Sequence, residues 1–289
     1  MNNGTIEKQE KVLDGGFTQV GLFSLLAAVL RLFEMIVFHD AQANMLMQNA
    51  FVTALNWLIF LCVAWVVFCG VRMGIAISAA GPGAADEPKR GKLPPVIGFG
   101  LLGLGVFFLV QAALDLAAVL SGSFDFIAWA QLAFCLLSAV TFFRMGYQVS
   151  ARGNAAGGLL ELAPLVWALL TVVRLLIFYS SAISYQSDAE RTVVSLLAIC
   201  FLAAMGRWLG GDAGAYRPAY AVAAALFPGV ALAETLPYAA LFPFGIRDAV
   251  SSTPYFAQLG LALFGFFALL CLAVNAVIRL ERRRHRRNG

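Results

Sequence analysis

Residues 95–120, PVIGFGLLGLGVFFLVQAALDLAAVL, form an apolar block interrupted by a single charge, Asp115. A helix needs about 20 predominantly apolar residues to span a bilayer, so this block is predicted to cross a membrane. Similar blocks occupy residues 17–38, 51–77, 126–143, 159–184, 192–209, 219–236 and 255–278. The sequence therefore predicts an all-α polytopic membrane protein, a bundle of about eight transmembrane helices arranged as four hairpins.

The composition agrees with a bilayer as the main solvent. Of the 289 residues, 61% are hydrophobic and 12% are charged, against roughly 25% charged in an ordinary soluble domain. No segment outside the apolar blocks is long enough to bury a core of its own. We therefore divide the chain into a cytoplasmic N-terminal segment (1–16), a single transmembrane helical domain (17–278) and a basic cytoplasmic tail (279–289).

The basic residues predict the orientation of the bundle. Short cytoplasmic loops are enriched in Lys and Arg, and eight spans place both termini on one side. With both termini inside, the outer loops hold only Arg191 and Arg247, and the spans hold Arg31 and Arg174. The inner segments hold 16 of the 20 basic residues: Lys8, Lys11, Arg72, Lys89, Arg90, Lys92, Arg144, Arg152, Arg207, Arg217, Arg279, Arg282, Arg283, Arg284, Arg286 and Arg287. We expect a multi-pass protein of the cell (plasma) membrane with both termini cytoplasmic.

Two other interpretations concern the first apolar block. A seven-span protein, with residues 17–38 outside the bilayer, would break the alternation of basic loops. A cleaved secretory signal would explain Ala41-Gln42-Ala43, which resembles a cleavage site. The block is longer than a signal core, contains Arg31 and Glu34, and follows a nearly neutral segment, so a retained span is favoured.

Five ionisable residues lie inside the predicted spans. A charge in the membrane costs roughly 2.5–3.5 kcal/mol on insertion scales, so each needs a partner, water or a function. The five are Arg31, Glu34, Asp115, Arg174 and Glu234, all in the outer half of odd-numbered spans. They are the candidate residues for substrate binding or ion coupling.

Two interpretations of these charges remain open. In the structural one, Arg31 pairs with Glu34 three residues along its helix, Asp115 pairs with Arg174 between spans, and Glu234 is the least compensated. In the functional one, the five residues line a cavity open to the outside. The arginines would then bind an anionic group, and a carboxylate would exchange protons.

The seventh predicted span contains several prolines. Pro228 removes a backbone hydrogen bond, and Pro237 and Pro243 are expected to end the regular helix early. A break beside Glu234 would expose free carbonyl groups, as in transporter binding sites. The stretch from Pro237 to Pro254 is expected to be an outer loop, and an interfacial lid or re-entrant segment is the alternative.

A short internal similarity suggests duplication. LAAVLRL at residues 26–32 resembles LLTVVRL at residues 169–175, and each places an arginine at a similar depth in a span. Duplication of a four-helix unit, with the two halves related by an axis along the membrane normal, would produce this pattern. Chance similarity among common apolar residues is the alternative.

No metal, nucleotide or hydrolase motif is recognisable. The cysteines all lie in predicted spans as small apolar residues, and the two histidines, His39 and His285, do not favour a metal site. Gly98-Phe99-Gly100-Leu101-Leu102-Gly103 matches G-x-G-x-x-G without a preceding strand. With Gly105 it predicts a small-residue face for close helix packing. We predict no enzyme activity, no cofactor and no metal.

The basic tail predicts a lipid partner. Attraction to anionic lipid, at about 1 kcal/mol per residue near the surface, would hold the last helix end inside the cell. Nucleic-acid binding is not expected. The residues involved are Arg282, Arg283, Arg284, Arg286 and Arg287.

The leading functional hypothesis is a secondary transporter or permease-like protein for a small polar solute. Arg31 and Arg174 would engage the solute, while Glu234, Asp115 or Glu34 would carry the coupling proton. The alternative is a membrane-embedded interaction or sensory protein whose intramembrane ion pairs are structural. A lipid-active enzyme ranks last because no nucleophile and base are recognisable.

Overall fold

The computed structural model describes residues 3–40, 45–46, 50–81, 93–121, 125–153, 155, 162–179, 186–210, 217–241 and 255–288. These residues form eight helices and a two-residue antiparallel ladder, β1 (His39–Asp40) with β2 (Met45–Leu46). The helices are α1 (Asn3–Phe38), α2 (Ala50–Ala79), α3 (Pro95–Ser121), α4 (Phe126–Arg152), α5 (Ala163–Tyr179), α6 (Gln186–Leu209), α7 (Pro218–Leu241) and α8 (Tyr255–Asn288). The predicted all-α class is confirmed.

Seven of the described helices are long and apolar enough to cross a membrane, which supports a multi-pass membrane protein. The first apolar block is one of the seven, as part of α1. The described apolar part of α5, Ala163–Ile177, is shorter than the others. Its neighbours 156–161 and 180–185 lie outside the described residues, so the eighth span at 159–184 stays a prediction.

Several helices extend beyond the apolar blocks that predicted them. α1 begins at Asn3 instead of residue 17, α4 ends at Arg152 instead of 143, and α8 ends at Asn288 instead of 278. The predicted boundaries followed hydropathy, but a helix continues into polar sequence until a capping residue ends it. At α4, Asp125 accepts a hydrogen bond from the Ile127 amide, and Gly153 ends the helix with φ 76°, a left-handed conformation that glycine adopts readily.

α2 and α7 run antiparallel, as two contacts along their interface show. At one end of the bundle Gly74 of α2 meets Val222 of α7, and further along the same interface Gly229 meets Val66. We call the end that holds the chain termini the proximal end. The opposite end, where α1, α3, α5 and α7 finish, is the distal end.

α7 is the central helix of the bundle, since it packs against α1, α2, α6 and α8. Helices α3 to α8 form a closed series of contacts, in which α8 also packs on α3, and the α1–α2 hairpin packs outside this series. Aromatic residues fill the interior. Phe108 contacts Phe142 and Trp167 with ring centroids 5.0 Å and 4.7 Å apart, and Phe201 stacks on Phe227 at 4.7 Å.

The small-residue face predicted near the start of α3 is confirmed for Gly98 and Gly105. A Cβ on Gly98 would lie 2.7 Å from the Gly146 carbonyl oxygen, and one on Gly105 would lie 3.0 Å from the Phe143 ring. Both glycines therefore let α3 approach α4. Gly100 instead faces Phe264 of α8, and Gly103 has nothing within 4 Å of a Cβ.

The prediction that α7 ends early at Pro237 was wrong. The helix continues to Leu241 with Pro228 and Pro237 inside it, so α7 does not break beside Glu234. Membrane helices tolerate proline where neighbouring helices compensate. Gly265 of α8 makes room for the Pro228 ring, since a Cβ there would lie 2.7 Å from it. Pro243 and Pro254 lie outside the described residues.

The helix contacts do not repeat between the two halves of the chain. α7 packs on α1 and α2. A duplicated four-helix unit would place the equivalent helix, α3, against α5 and α6. Within the described residues the backbone of α3 does not pack closely against α5 or α6, and α3 meets α5 through the Phe108 and Trp167 rings. The packing therefore gives no support to the duplication that the similar segments suggested.

Candidate functional site in the distal half of the bundle

Polar side chains from all eight helices lie in the distal half of the bundle. Each is within ten residues of the distal end of its helix, which is about 15 Å of helix rise. We call this set the distal polar layer. Its members are Arg31, Glu34, Asn56, Gln111, Asp115, Gln131, Thr171, Arg174, Arg191, Ser195, Glu234, Tyr238 and Gln258.

The first part of the layer joins α1 to α2. Arg31 Nη1 lies 3.0 Å from Glu34 Oε2, and both side chains are buried, with 8% and 0% exposure. This confirms the predicted ion pair. Asn56 completes the network: its Oδ1 accepts a hydrogen bond from Arg31 at 3.0 Å, and its Nδ2 donates to Glu34 Oε1 at 2.8 Å.

The second part joins α6 to α7. Arg191 is fully buried, and its guanidinium lies over the ring of Tyr238, 4.9 Å from the ring centroid. Tyr238 is within electrostatic range of Glu234, Arg191 and Arg31. Charges from α1, α6 and α7 therefore meet in one buried region, which we call the α1–α6–α7 cluster: Arg31, Glu34, Arg191, Glu234 and Tyr238.

The position of Arg191 corrects a prediction from the sequence. It was expected in an outer loop, but α6 begins at Gln186 and buries it. The buried face of α6 passes through Arg191, Val194, Ser195 and Ala198, with the three- and four-residue spacing of one helix face. That spacing was the available signal. The signal was missed because the start of the predicted span at residue 192 was chosen from hydropathy alone.

A separate network joins α4 to α5. Arg174 Nη1 donates to Gln131 Oε1 at 3.1 Å, and Gln131 Nε2 donates to Thr171 Oγ1 at 3.2 Å. The Thr171 hydroxyl in turn donates to the Trp167 carbonyl oxygen at 3.0 Å. Arg174 is therefore held by an amide of the neighbouring helix.

Asp115 is held by a glutamine of its own helix. Gln111 Nε2 donates to Asp115 Oδ1 at 2.8 Å, and Gln111 Oε1 accepts from the Phe256 amide at the start of α8 at 3.2 Å. Arg174 acts on Asp115 as a nearby charge. The pairing suggested for Asp115 and Arg174 is thus found as an interaction between nearby charges, while glutamines on α3 and α4 make the hydrogen bonds to them.

A further pair of polar residues links α6 to α8, since Gln258 Nε2 donates to Ser195 Oγ at 3.0 Å. The amides of Asn56, Gln111, Gln131 and Gln258 were not among the predicted site residues. They occur in apolar spans near the same helix ends as the charges, and this was the sequence signal that could have revealed them. The structure uses each as a link between helices or charges.

The α1–α6–α7 cluster has the groups needed to bind a small charged molecule. Two guanidinium groups can donate several hydrogen bonds to a carboxylate or phosphate, and two carboxylates can accept protons or bind a cation. In the part of the chain that the structure describes, no group of three or more His, Cys, Asp or Glu residues has the arrangement of a metal site. The side chains of this cluster can bind a charged solute and exchange protons.

Comparison of the chain with protein-family models, with curated proteins and with solved structures found no match. The geometry of the distal polar layer is therefore the basis for a functional proposal. Within that layer, the α1–α6–α7 cluster combines the largest number of charges from different helices.

Proposed function

We propose that this protein is a secondary transporter of the plasma membrane that binds a small polar solute in the α1–α6–α7 cluster. The supporting observation is the convergence of Arg31, Glu34, Arg191 and Glu234 from three helices in one buried region. Ionisable residues inside membrane bundles commonly mark substrate or ion pathways. Arg191 replaces Arg174 as the second solute-binding arginine, because Arg174 belongs to the α4–α5 network.

The proposed orientation has eight spans, both termini in the cytoplasm and the distal end outside. The distribution of basic residues over the folded bundle supports it. The described Lys and Arg residues other than Arg31, Arg174 and Arg191 all lie in the proximal half, as expected for the cytoplasmic side. The α1–α6–α7 cluster would then take up solute from outside the cell.

The residues of the cluster would have different tasks. Arg191 would bind the anionic group of the solute while its guanidinium stays over Tyr238. Arg31, fixed by Glu34 and Asn56, would orient the solute. Glu234, one helical turn before Tyr238, would carry the coupling proton, because protonation of a carboxylate beside two arginines changes how strongly the cluster binds an anion.

Accessibility to water tests the proposed site directly. In a cysteine-free background, Arg191→Cys, Glu234→Cys and the control Ala225→Cys would each be treated with a membrane-impermeant thiol reagent on the distal side. Ala225 is fully buried on α7 near the proximal end. We expect labelling at positions 191 and 234 and none at 225. Well-folded variants that resist labelling at 191 and 234 would show a sealed cluster and contradict the transporter.

A membrane-embedded interaction or sensory protein is the second candidate. One observation favours it: Arg31, Glu34 and Asn56 satisfy one another through three hydrogen bonds without a solute. If the layer only fixes the bundle, it should exclude water. Charge-neutralising variants such as Glu34→Gln should then fail to accumulate in the membrane, and no solute should stabilise the wild-type protein.

A further inference from the structure

A cleft lies between α1 and α2 near the proximal end, far from the distal polar layer. It encloses about 110 Å³ and is lined by Lys11, Gly15, Gln19 and Arg72 among others. A single water molecule needs only about 10–15 Å³ of such space. The cleft can therefore hold a group several times larger than water.

Two cations from different helices face this cleft. The Lys11 ammonium pairs with Glu7 at 3.0 Å, but the two side chains are 77% and 60% exposed, and exposed pairs of this kind are weak and exchange readily. Arg72 is exposed on α2, with its guanidinium 5.4 Å from the centre of the Phe68 ring. A phosphate between α1 and α2 would receive charge-assisted hydrogen bonds from both residues.

The space in the cleft depends on a pair of glycines in α1. Gly16 packs against Met73 of α2, with a Cβ position 3.6 Å from the side chain, whereas Gly15 has nothing within 4 Å of its Cβ position. The two helices are thus close at Gly16 and leave open space in front of Gly15. Deeper in the cleft, Gln19 Oε1 accepts a hydrogen bond from the Cys69 thiol at 3.1 Å. The amide nitrogen of Gln19 can then donate to a ligand.

We propose that this cleft binds the phosphate of an anionic phospholipid headgroup. Its position favours a lipid over a soluble ligand, because the cleft opens at the end of two apolar helices whose outer faces carry exposed residues such as Leu22 and Phe68. Acyl chains would lie along these faces. Basic pockets between transmembrane helices on the cytoplasmic side bind anionic headgroups. The site is separate from the proposed transport site, and Arg284 of the basic tail lies near its edge, close enough to act electrostatically on Glu7.

Native mass spectrometry of the purified full-length protein with added phosphatidylglycerol tests this proposal, with phosphatidylcholine of the same chains as reference. The wild type should retain one phosphatidylglycerol in preference to phosphatidylcholine. Gly15→Leu should weaken this binding because its side chain fills the open space. The double variant Lys11→Gln with Arg72→Gln should weaken it about tenfold or more, the effect expected from losing a charged hydrogen bond. Gly103→Leu is the matched control, since Gly103 also has nothing within 4 Å of its Cβ position.

Each control has an outcome that would overturn the lipid site. Equal retention of phosphatidylglycerol by Gly15→Leu and Gly103→Leu would show that the cleft is not used. The same conclusion follows if Arg282→Gln with Arg284→Gln abolishes retention while the Lys11 and Arg72 double variant keeps it. If millimolar inorganic phosphate displaces the lipid completely, the site belongs to free phosphate. Unchanged thermal unfolding of the double variant would separate lost binding from lost folding.

Discussion

Single amides bond four charges of the distal half, and Asn56, which bonds two of them, shows this most clearly. Its side chain accepts a hydrogen bond from Arg31 and donates one to Glu34. Asn56→Ala removes both bonds and leaves buried charged groups without these partners, so we expect a loss of about 1–3 kcal/mol of stability. Thermal unfolding in detergent would measure the loss. Asn275→Ala, at an exposed asparagine of α8, should unfold at the wild-type temperature, and equal effects at both positions would contradict the network.

Two arginine–tyrosine stacks among the described residues differ in burial. Arg191 lies 4.9 Å from the Tyr238 ring centre and is fully buried, whereas Arg207 lies 4.6 Å from the Tyr220 ring centre and is exposed. Exposed cation–π contacts contribute about 0.5–1 kcal/mol and desolvated ones about 2 kcal/mol or more. Arg191→Gln should therefore lower the unfolding temperature clearly more than Arg207→Gln. A larger drop in unfolding temperature for Arg207→Gln would show that the exposed stack stabilises the protein more than the buried one, and would contradict this prediction.

At the scale of helices, the contact between α2 and α7 depends on a glycine. A Cβ at Gly74 would lie 2.6 Å from the Val222 Cα atom, which belongs to the backbone and cannot turn aside. Gly74→Ala must therefore separate the proximal ends of α2 and α7, with an expected cost of about 1–3 kcal/mol. Gly21→Ala is the control, because nothing lies within 4 Å of that Cβ position. Thermal unfolding of the two variants side by side would test this, and similar midpoints would show that the interface adapts.

The sequence predicted the helices better than their contacts. Each helix follows from a long apolar block such as residues 95–120, because hydropathy is a local property. The Arg31–Glu34 pair was also predictable, since both residues lie on one helix face. The meeting of Arg191 with Tyr238 was not predicted, because it depends on how α6 packs against α7. Likewise, Pro237 predicted a break in α7, but the helix continues through it to Leu241.

For the whole molecule, the distal polar layer is at the same time a structural link and the proposed binding region. The amides join helices in pairs, α1 with α2, α4 with α5, and α6 with α8. The charges of the α1–α6–α7 cluster instead connect the α1–α2 hairpin to the closed series of helices α3 to α8. A solute that binds there would therefore change contacts between these two parts of the bundle, as alternating access requires.

Transport by the whole protein would depend on a carboxylate in that cluster. Purified protein in liposomes containing a pH-sensitive dye would be exposed to small carboxylic acids, amino acids and organic phosphates. For the wild type we expect at least one of these solutes to drive proton movement across the membrane. Glu234→Gln should abolish that coupled movement, because its amide cannot release a proton. Glu281→Gln makes the same chemical change at an exposed position of α8 and should leave the signal intact. If Glu234→Gln couples protons as the wild type does, Glu234 is not the coupling residue, and Arg31 would serve the structural role that its bonds to Asn56 and Glu34 already support.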